Sequence, residues 1–310
     1  MSLTQAQIMA VKGQGFLQNR GTELFSGRVV APGTVFTAQN FADLSELANT
    51  FGNGKLICTS RLAVEVPGIP YEKIEEAKAF AAEHGLRFGG TGAKVRPIAT
   101  CKGTTCIYGN YDTHELSRKI HEAYYIGWTD VKLPHKFKIA VGGCPNSCMK
   151  PSLNDFGIEG RKAPVFDSEK CRGCASCAVE KRCPMNAAHV VDGKLQICKE
   201  TCIDCGVCTG KCPFGAVADT APTRYQIYIG GTWGKRTRIG TPLSRLVEEE
   251  EILPILEKTM LWYKENGFAK ERLGMMIDRL GIQALEAAIA GDDLLQRKDE
   301  ILAAEIRTRP

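Results

Sequence analysis

Fourteen cysteines are spread along this 310-residue chain, and their positions constrain it more than any other feature. Nine of them fall between Cys171 and Cys212. Four more form two pairs, Cys101/Cys106 at C-x4-C spacing and Cys144/Cys148 at C-x3-C spacing. Cys58 stands alone. The N-terminus has no basic segment leading into an apolar core, and no run of about 18 apolar residues occurs anywhere. The expected location is therefore the cytoplasm, with no membrane span. In that reducing compartment so many thiols are expected to bind metal rather than to pair as disulfides.

Composition adds limits. With 44% hydrophobic and 24% charged residues the chain reads as an ordinary globular protein. Its length suits one large core plus a small module. The net charge of +5 is mild. It lacks the concentrated Lys/Arg stripes of a nucleic-acid binder and suits a chain that holds an anionic cofactor or substrate.

Residues 1–23 read as a polar lead-in. A strand is expected over 26–30, then a helix over 37–51 with Phe41, Leu44, Leu47, Ala48 and Phe51 on one face. A strand over 55–66, carrying Cys58 into the core, and a helix over 71–84 with Gly85 at its C-terminus follow. The glycine-rich segment 87–100 leads to Cys101. A helix is expected over 113–125 and an apolar strand over 137–141, running into Gly142-Gly143-Cys144. After the cysteine-rich stretch come a strand over 224–229, a glycine-rich loop over 230–240, a long helix over 243–266, two shorter helices, and a polar tail after Gly291. Strand, glycine and helix recur at 26–51 and 225–265, a sign of an internal repeat. The pattern is α+β. The expected organisation is an N-terminal half-domain (1–90), a site domain in two pieces (91–163 and 222–310), and a small inserted domain (164–221).

The insert carries two copies of the bacterial ferredoxin run. One is Cys171-x2-Cys174-x2-Cys177-x5-Cys183-Pro184, and the other is Cys202-x2-Cys205-x2-Cys208-x3-Cys212-Pro213. In that run three cysteines hold one 4Fe–4S cluster and the fourth ligates the other. This assigns Cys171, Cys174, Cys177 and Cys212 to one cluster, and Cys202, Cys205, Cys208 and Cys183 to the second. Structural zinc is the competing use of C-x2-C pairs, but three cysteines closed by Cys-Pro favour iron–sulfur. The first copy has two extra residues before Cys183, and Cys198 is left over as a spare thiol. Cys101, Cys106, Cys144 and Cys148 supply ligands for a third cluster.

Taken together, these cysteines, Lys136-Phe137-Lys138 before the second pair, Val95-Arg96 before the first, and the insert resemble the sirohaem-dependent sulfite and nitrite reductases. The resemblance is strongest to the small anaerobic and dissimilatory-type sulfite reductases with an inserted ferredoxin domain, and it covers nearly the whole chain. Many members have C-x5-C in the first pair where this chain has C-x4-C. The resemblance implies a sulfite/nitrite reductase-type fold with ferredoxin-like half-domain repeats. It also implies sirohaem coupled to the third cluster through the Cys148 sulfur, and three 4Fe–4S clusters in all. By motif match, the substrate-side cations are Lys136, Lys138, Arg96 and, less directly, Arg28. Arg61, Lys94, Lys235, Arg236 and Arg238 are expected beside cofactor carboxylates, although the loop holding the last three reads equally well as a surface hairpin. His135 reads as a structural histidine or a proton donor.

The implied reaction is the six-electron reduction of sulfite to sulfide, with nitrite to ammonia as the sister reaction on the same site. A polyferredoxin subunit that only passes electrons explains the insert but neither the separate cysteine pairs nor Lys136 and Lys138. No flavin or nicotinamide fingerprint is present. Electrons are thus expected from a separate ferredoxin, flavoprotein or partner subunit, in a homo- or hetero-oligomer.

Overall fold

A computed structural model describes residues 3–309, so the outermost ends of the expected 1–90 and 222–310 segments lie outside the described residues. The chain opens with α1 (Gln5–Gly13), capped by Thr4, whose hydroxyl accepts the Gln7 amide while the Gln7 side chain reaches back. β1 (Phe16–Gln18) and β2 (Leu24–Val30) follow. The polar lead-in expected over 1–23 is therefore folded, and buried Val11 and Phe16 pin it to the core. Thr37 caps α2 (Ala38–Phe51), which buries Leu44, Leu47 and Ala48. Phe41 departs from the expected buried face: it is 45% exposed and leans on Phe36.

The strand expected over 55–66 is two strands, β3 (Ile57–Cys58) and β4 (Val64–Pro70). The Thr59 hydroxyl accepts the Arg61 and Ala63 amides, and Leu62 takes φ 58°, so the chain turns there. This leaves Cys58 exposed rather than in the core. α3 (Ile74–Glu83) and β5 (Arg87–Phe88) complete the unit. Its sheet runs β1-β2-β4-β3, with β5 also pairing with β2, all antiparallel.

The second sheet begins with β6 (Ala99–Thr100). α4 (Thr113–Ile120) continues to Ile126 as a wider π turn, with Leu116, Ile120 and Tyr124 buried as expected. β7 (Ile139–Gly142) and β8 (Phe156–Arg161) lie next to one another. The strand expected from 137 starts later, and Phe137 instead bridges to Val95. The cysteine-rich stretch contributes α5 (Ala178–Arg182) and the hairpin β9 (Ala188–Val191)/β10 (Lys194–Ile197). β11 (Arg224–Ile229) and β12 (Thr241–Pro242) then return to the sheet, whose order is β12-β11-β8-β7-β6. Strands β6, β7 and β8 are parallel, and β8, β11 and β12 antiparallel.

α6 (Glu249–Asn266) starts later than the expected 243, because Leu243 and Val247 bond to Ile227 and Tyr225 of β11. Its acidic first turn complements the helix dipole. α7 (Leu273–Leu280) and α8 (Ile282–Ala290) follow. The polar tail expected after Gly291 folds as α9 (Asp293–Gln296) and α10 (Lys298–Ala303), anchored by buried Leu294 and Ile301.

One large apolar core joins residues from Val95 to Ile158 with residues from Tyr225 to Ile301, so the chain on both sides of the cysteine-rich stretch packs together. The N-terminal sheet has its own core. The cysteine-rich stretch has a third, of only four fully buried residues: Val179, Ala188, Leu195 and Val217. Among the described residues no helix is long and apolar enough to cross a membrane.

Candidate active site

Parallel pairing of β6 and β7 places the loops at their C-terminal ends side by side, and these loops carry the two cysteine pairs. Close approach depends on glycine. A Cβ on Gly103 would lie 3.2 Å from the Gly143 Cα, and one on Gly143 3.1 Å from the Gly103 Cα. The Gly143 amide donates to the Cys101 Sγ at 3.3 Å, and the Thr113 hydroxyl donates to the Cys101 carbonyl at 2.8 Å. Cys148 is bracketed by two left-handed non-glycine residues, Ser147 (φ 55°) and Lys150 (φ 49°). The strain is held in place: the Ser147 hydroxyl donates to Glu159 at 2.8 Å, and Glu159 is almost fully buried on β8.

Burial pushes the Cys144 thiol up, and neighbouring Cys101, Cys148 and Cys106 push it further. The four sulfurs thus sense one another. Yet among the described residues no three His, Cys, Asp or Glu side chains converge tightly enough for a single ion. Four thiols from two loops are the donor set of a 4Fe–4S cluster.

Arg28, Arg61, Arg96, Lys136 and Lys138 form one linked group of charges together with Arg272, with Arg96 just ahead of β6 and Lys136 and Lys138 just ahead of β7. Burial, then Arg28 and Arg272, lowers Arg96 to about 10. Burial, then Arg61, Arg272 and Lys136, lowers Lys138 to about 8. Among the described residues only Glu65, on Arg28 at 2.6 Å, and Asp155, on Arg272 at 2.7 Å, pair with this group as carboxylates. The buried Arg96 Nε has no hydrogen-bond partner among them. An excess of partly desolvated cations with an orphaned guanidinium nitrogen fits an anionic occupant. His135 is lowered to about 4 by burial and then by Lys136, Arg272 and Arg96, and its Nδ1 accepts the Lys136 amide. It is neutral at pH 7, and this favours the structural role.

Three of the expected cofactor contacts are engaged with the protein itself. Arg61 donates to the Pro97 and Ile139 carbonyls and to the Asn154 side chain, tying the N-terminal unit to the second sheet. Arg238 is taken up by Asp278 and by carbonyls of its own hairpin. Lys94 donates to the Thr129 carbonyl and lines a cleft with Lys78, Arg87, Tyr125 and Trp128. Each is held by acceptors the protein itself provides. Lys235 and Arg236 remain exposed in the 230–240 loop, whose Trp233 lies under Lys150 at 5.5 Å, two residues past Cys148.

In the cysteine-rich stretch, Cys183, Cys202, Cys205 and Cys208 border one small cavity with Pro164, Met185 and Ile197. Burial, then Cys205, Cys202 and Cys183, pushes Cys208 up to about 11. Four thiols around an apolar cavity, with the fourth reaching over from the first run, fit the crossed ligation of a two-cluster ferredoxin. This stretch docks onto β8. Lys162 and Cys205 form a parallel bridge, the Lys162 amide donates to the Asp204 carbonyl at 2.7 Å, and Arg161 donates to the Ile203 carbonyl at 2.7 Å. Arg161 also pairs with Glu159 at 2.6 Å. A chain of contacts therefore runs from Ser147, beside Cys148, through Glu159 and Arg161 to the Cys202–Cys208 loop.

Sequence reasoning missed Arg272, Asp155 and Glu159. The one available signal was Arg272 at the N-cap of α7, where a cation opposes the helix dipole. Asp155 and Glu159 are acids on a strand with no local motif.

Comparison with known proteins agrees with this geometry. Residues 91–298 match the nitrite and sulphite reductase 4Fe-4S domain, and residues 16–84 match the nitrite/sulfite reductase ferredoxin-like half domain. The coenzyme F420-dependent sulfite reductase of Methanocaldococcus jannaschii is 31% identical over 253 residues, spanning 81% of this chain but only 39% of that protein. A subunit of the anaerobic sulfite reductase of Salmonella typhimurium is 30% identical over 310 residues, 92% of this chain and 88% of that one. The crystal structure of dissimilatory sulfite reductase I superposes with a TM-score of 0.70 at 21% identity, covering 93% of this chain and 72% of that chain. The Mycobacterium tuberculosis NirA structure gives a TM-score of 0.65 at 14% identity, covering 100% and 49%. Both solved structures share the fold.

Proposed function

We propose that this chain, which belongs to the nitrite and sulphite reductase family, reduces sulfite to sulfide with six electrons in the cytoplasm. The observation that carries the reading is the excess of partly buried cations on the segments leading into β6 and β7, the strands that end in the cysteine loops, with Arg96 Nε unpartnered. Segment 164–221 is read as an inserted ferredoxin domain between 91–163 and 222–310, with 1–90 as the N-terminal half-domain. Cys171, Cys174, Cys177 and Cys212 hold one of its clusters, and Cys202, Cys205, Cys208 and Cys183 the other. A partner ferredoxin, flavoprotein or subunit supplies the electrons.

Cys101, Cys106, Cys144 and Cys148 hold the site cluster, with the exposed Cys148 as the link to sirohaem. When bound, sirohaem supplies the open iron position and, with its cluster, the electrons for breaking S–O bonds. The protein does the rest. Lys136 and Lys138 flank buried Phe137 and present their ammonium groups to one site. Arg96 and Arg28 neutralise the oxyanion, and the lowered Lys138 gives up a proton more readily than an ordinary lysine. Lys235 and Arg236 on the neighbouring loop are placed for tetrapyrrole carboxylates.

The test is the absorption spectrum and iron content of the purified holoprotein, followed by sulfide release from sulfite with a reduced viologen. A haem-type Soret and red band with about thirteen irons is expected, from three cubanes and one sirohaem. A broad ferredoxin shoulder alone would replace this reading with that of an electron-transfer subunit. Brisk nitrite reduction without sulfite turnover would move the assignment to nitrite.

A further inference from the structure

Among the described residues Asp155 is the one fully buried carboxylate within the cation group, and its role is not explained by the reaction residues named so far. It sits just ahead of β8. One carboxylate oxygen accepts the Lys138 amide at 2.8 Å and Arg272 Nη2 at 2.7 Å. The other accepts Arg272 Nη2 at 2.9 Å and Nε at 3.3 Å. The Asp155 carbonyl also accepts the Gly230 amide at 2.8 Å, which fixes the root of the 230–240 loop. A single side chain thus clamps the Lys136–Lys138 segment and α7 together, and its backbone holds the hairpin.

Arg272 comes from a different part of the chain from the other cations. Its side chain is 14% exposed. Nε and Nη2 are spent on Asp155, while Nη1 makes no hydrogen bond among the described residues. Its charge is felt by Lys136, Lys138, His135, Arg96 and Arg61, so it stands inside their group rather than behind it. A guanidinium oriented along one edge by a buried carboxylate, with its remaining nitrogen free, is preorganised for an oxyanion oxygen.

We propose that Arg272 is a further anion-binding side chain of this site, contacting a substrate oxygen through Nη1, and that Asp155 is the positioning residue that orients both Arg272 and the Lys138 backbone. The proposal rests on the sulfite-reductase reading and adds a fifth cation to Lys136, Lys138, Arg96 and Arg28, from the C-terminal helices. It leaves the roles of Arg96, Lys136 and Lys138 as they are.

The experiment uses the holoprotein, with Arg272→Met, Arg272→Lys and Asp155→Asn variants. The readouts are sirohaem content, sulfite KM, and the alkaline limb of the pH–rate profile. Arg272→Met is expected to raise KM for sulfite about ten- to a hundredfold at unchanged sirohaem content, the effect of losing one charged hydrogen bond. Arg272→Lys keeps the charge and the pairing with Asp155 but loses the fork. It should give a smaller rise in KM with the limb unmoved, and it carries the test if the methionine variant does not fold.

The pH profile separates positioning from mere structural support. Lys138 is faced by Arg61, Arg272 and Lys136, which lower its pKa, and by Asp155, which raises it. Removing the Arg272 charge should therefore shift the alkaline limb to higher pH, and Asp155→Asn should shift it to lower pH. A purely structural defect would not move the two in opposite directions. Unchanged KM in both Arg272 variants, or sirohaem loss with unchanged KM per haem, overturns the proposal. If the parent protein shows no haem-type band, the sulfite-reductase reading itself has failed, and that result is distinct from either.

Discussion

The two cysteine-lined regions use the same ligand chemistry in opposite surroundings. Cys183, Cys202, Cys205 and Cys208 border a small cavity closed by apolar side chains, all within one module. Cys101, Cys106, Cys144 and Cys148 come from two loops, and Cys148 is exposed, between left-handed residues. A centre that only passes an electron is served by enclosure, which keeps water and other reactants away. A centre that must meet a substrate needs an open side and an electrostatic counterpart. On the proposed reading the enclosed set is the relay and the open set the place of reaction.

The largest expected effect comes from the open set. Cys148→Ser should abolish sulfite turnover and sirohaem binding while leaving the iron of the two insert clusters in place, as read by absorption and iron analysis. Retained sirohaem with normal turnover would break the distinction between the two regions. Next, Lys138→Met should lower kcat/KM for sulfite about a hundredfold, the scale of losing one preorganised charge at a developing anion. Lys138 is charged below its lowered pKa of about 8, so wild-type turnover should be full below that pH and fall as pH rises through it. A profile flat across about pH 7 to 9 would remove Lys138 from the site.

A smaller effect tests how the regions are joined. Gly206, next to Cys205, has φ 74°, and a Cβ there would lie 2.7 Å from the Asn110 side chain and 3.1 Å from Lys162. Gly206→Val should leave all cysteine ligands in place yet tilt the module off β8. Turnover with a protein electron donor should fall about tenfold, equivalent to ~1.4 kcal/mol on the barrier, while a small reduced dye that reaches the open set directly supports normal turnover. An equal loss with both donors would show that the module does not lie on the electron path. The smallest effect is expected at Cys198, which is exposed and donates to Glu200 at 3.1 Å. Cys198→Ser should change neither iron content nor spectrum.

Much of this arrangement was legible locally. The cysteine runs and Lys136-Phe137-Lys138 are short-range patterns that can be read without the fold. Arg272 and Asp155 were not legible, because they meet across 117 positions and neither carries a motif. The split at Thr59–Leu62 was hidden by apolar alternation, which registers burial but not a side-chain hydrogen bond that bends the backbone. The last two helices were missed because each is a short segment, and tertiary packing of Leu294 and Ile301 decides them rather than intrinsic propensity.

The four-residue core of the inserted stretch has a consequence for the life of the protein in a cell. Val179, Ala188, Leu195 and Val217 bury too little surface to hold a stretch of this length against its conformational entropy. If the stretch holds the two clusters proposed for it, their binding supplies the difference, and its folding is coupled to iron supply. Without those clusters, the segment between Pro164 and Pro222 is then expected to be the part of the chain most open to proteases.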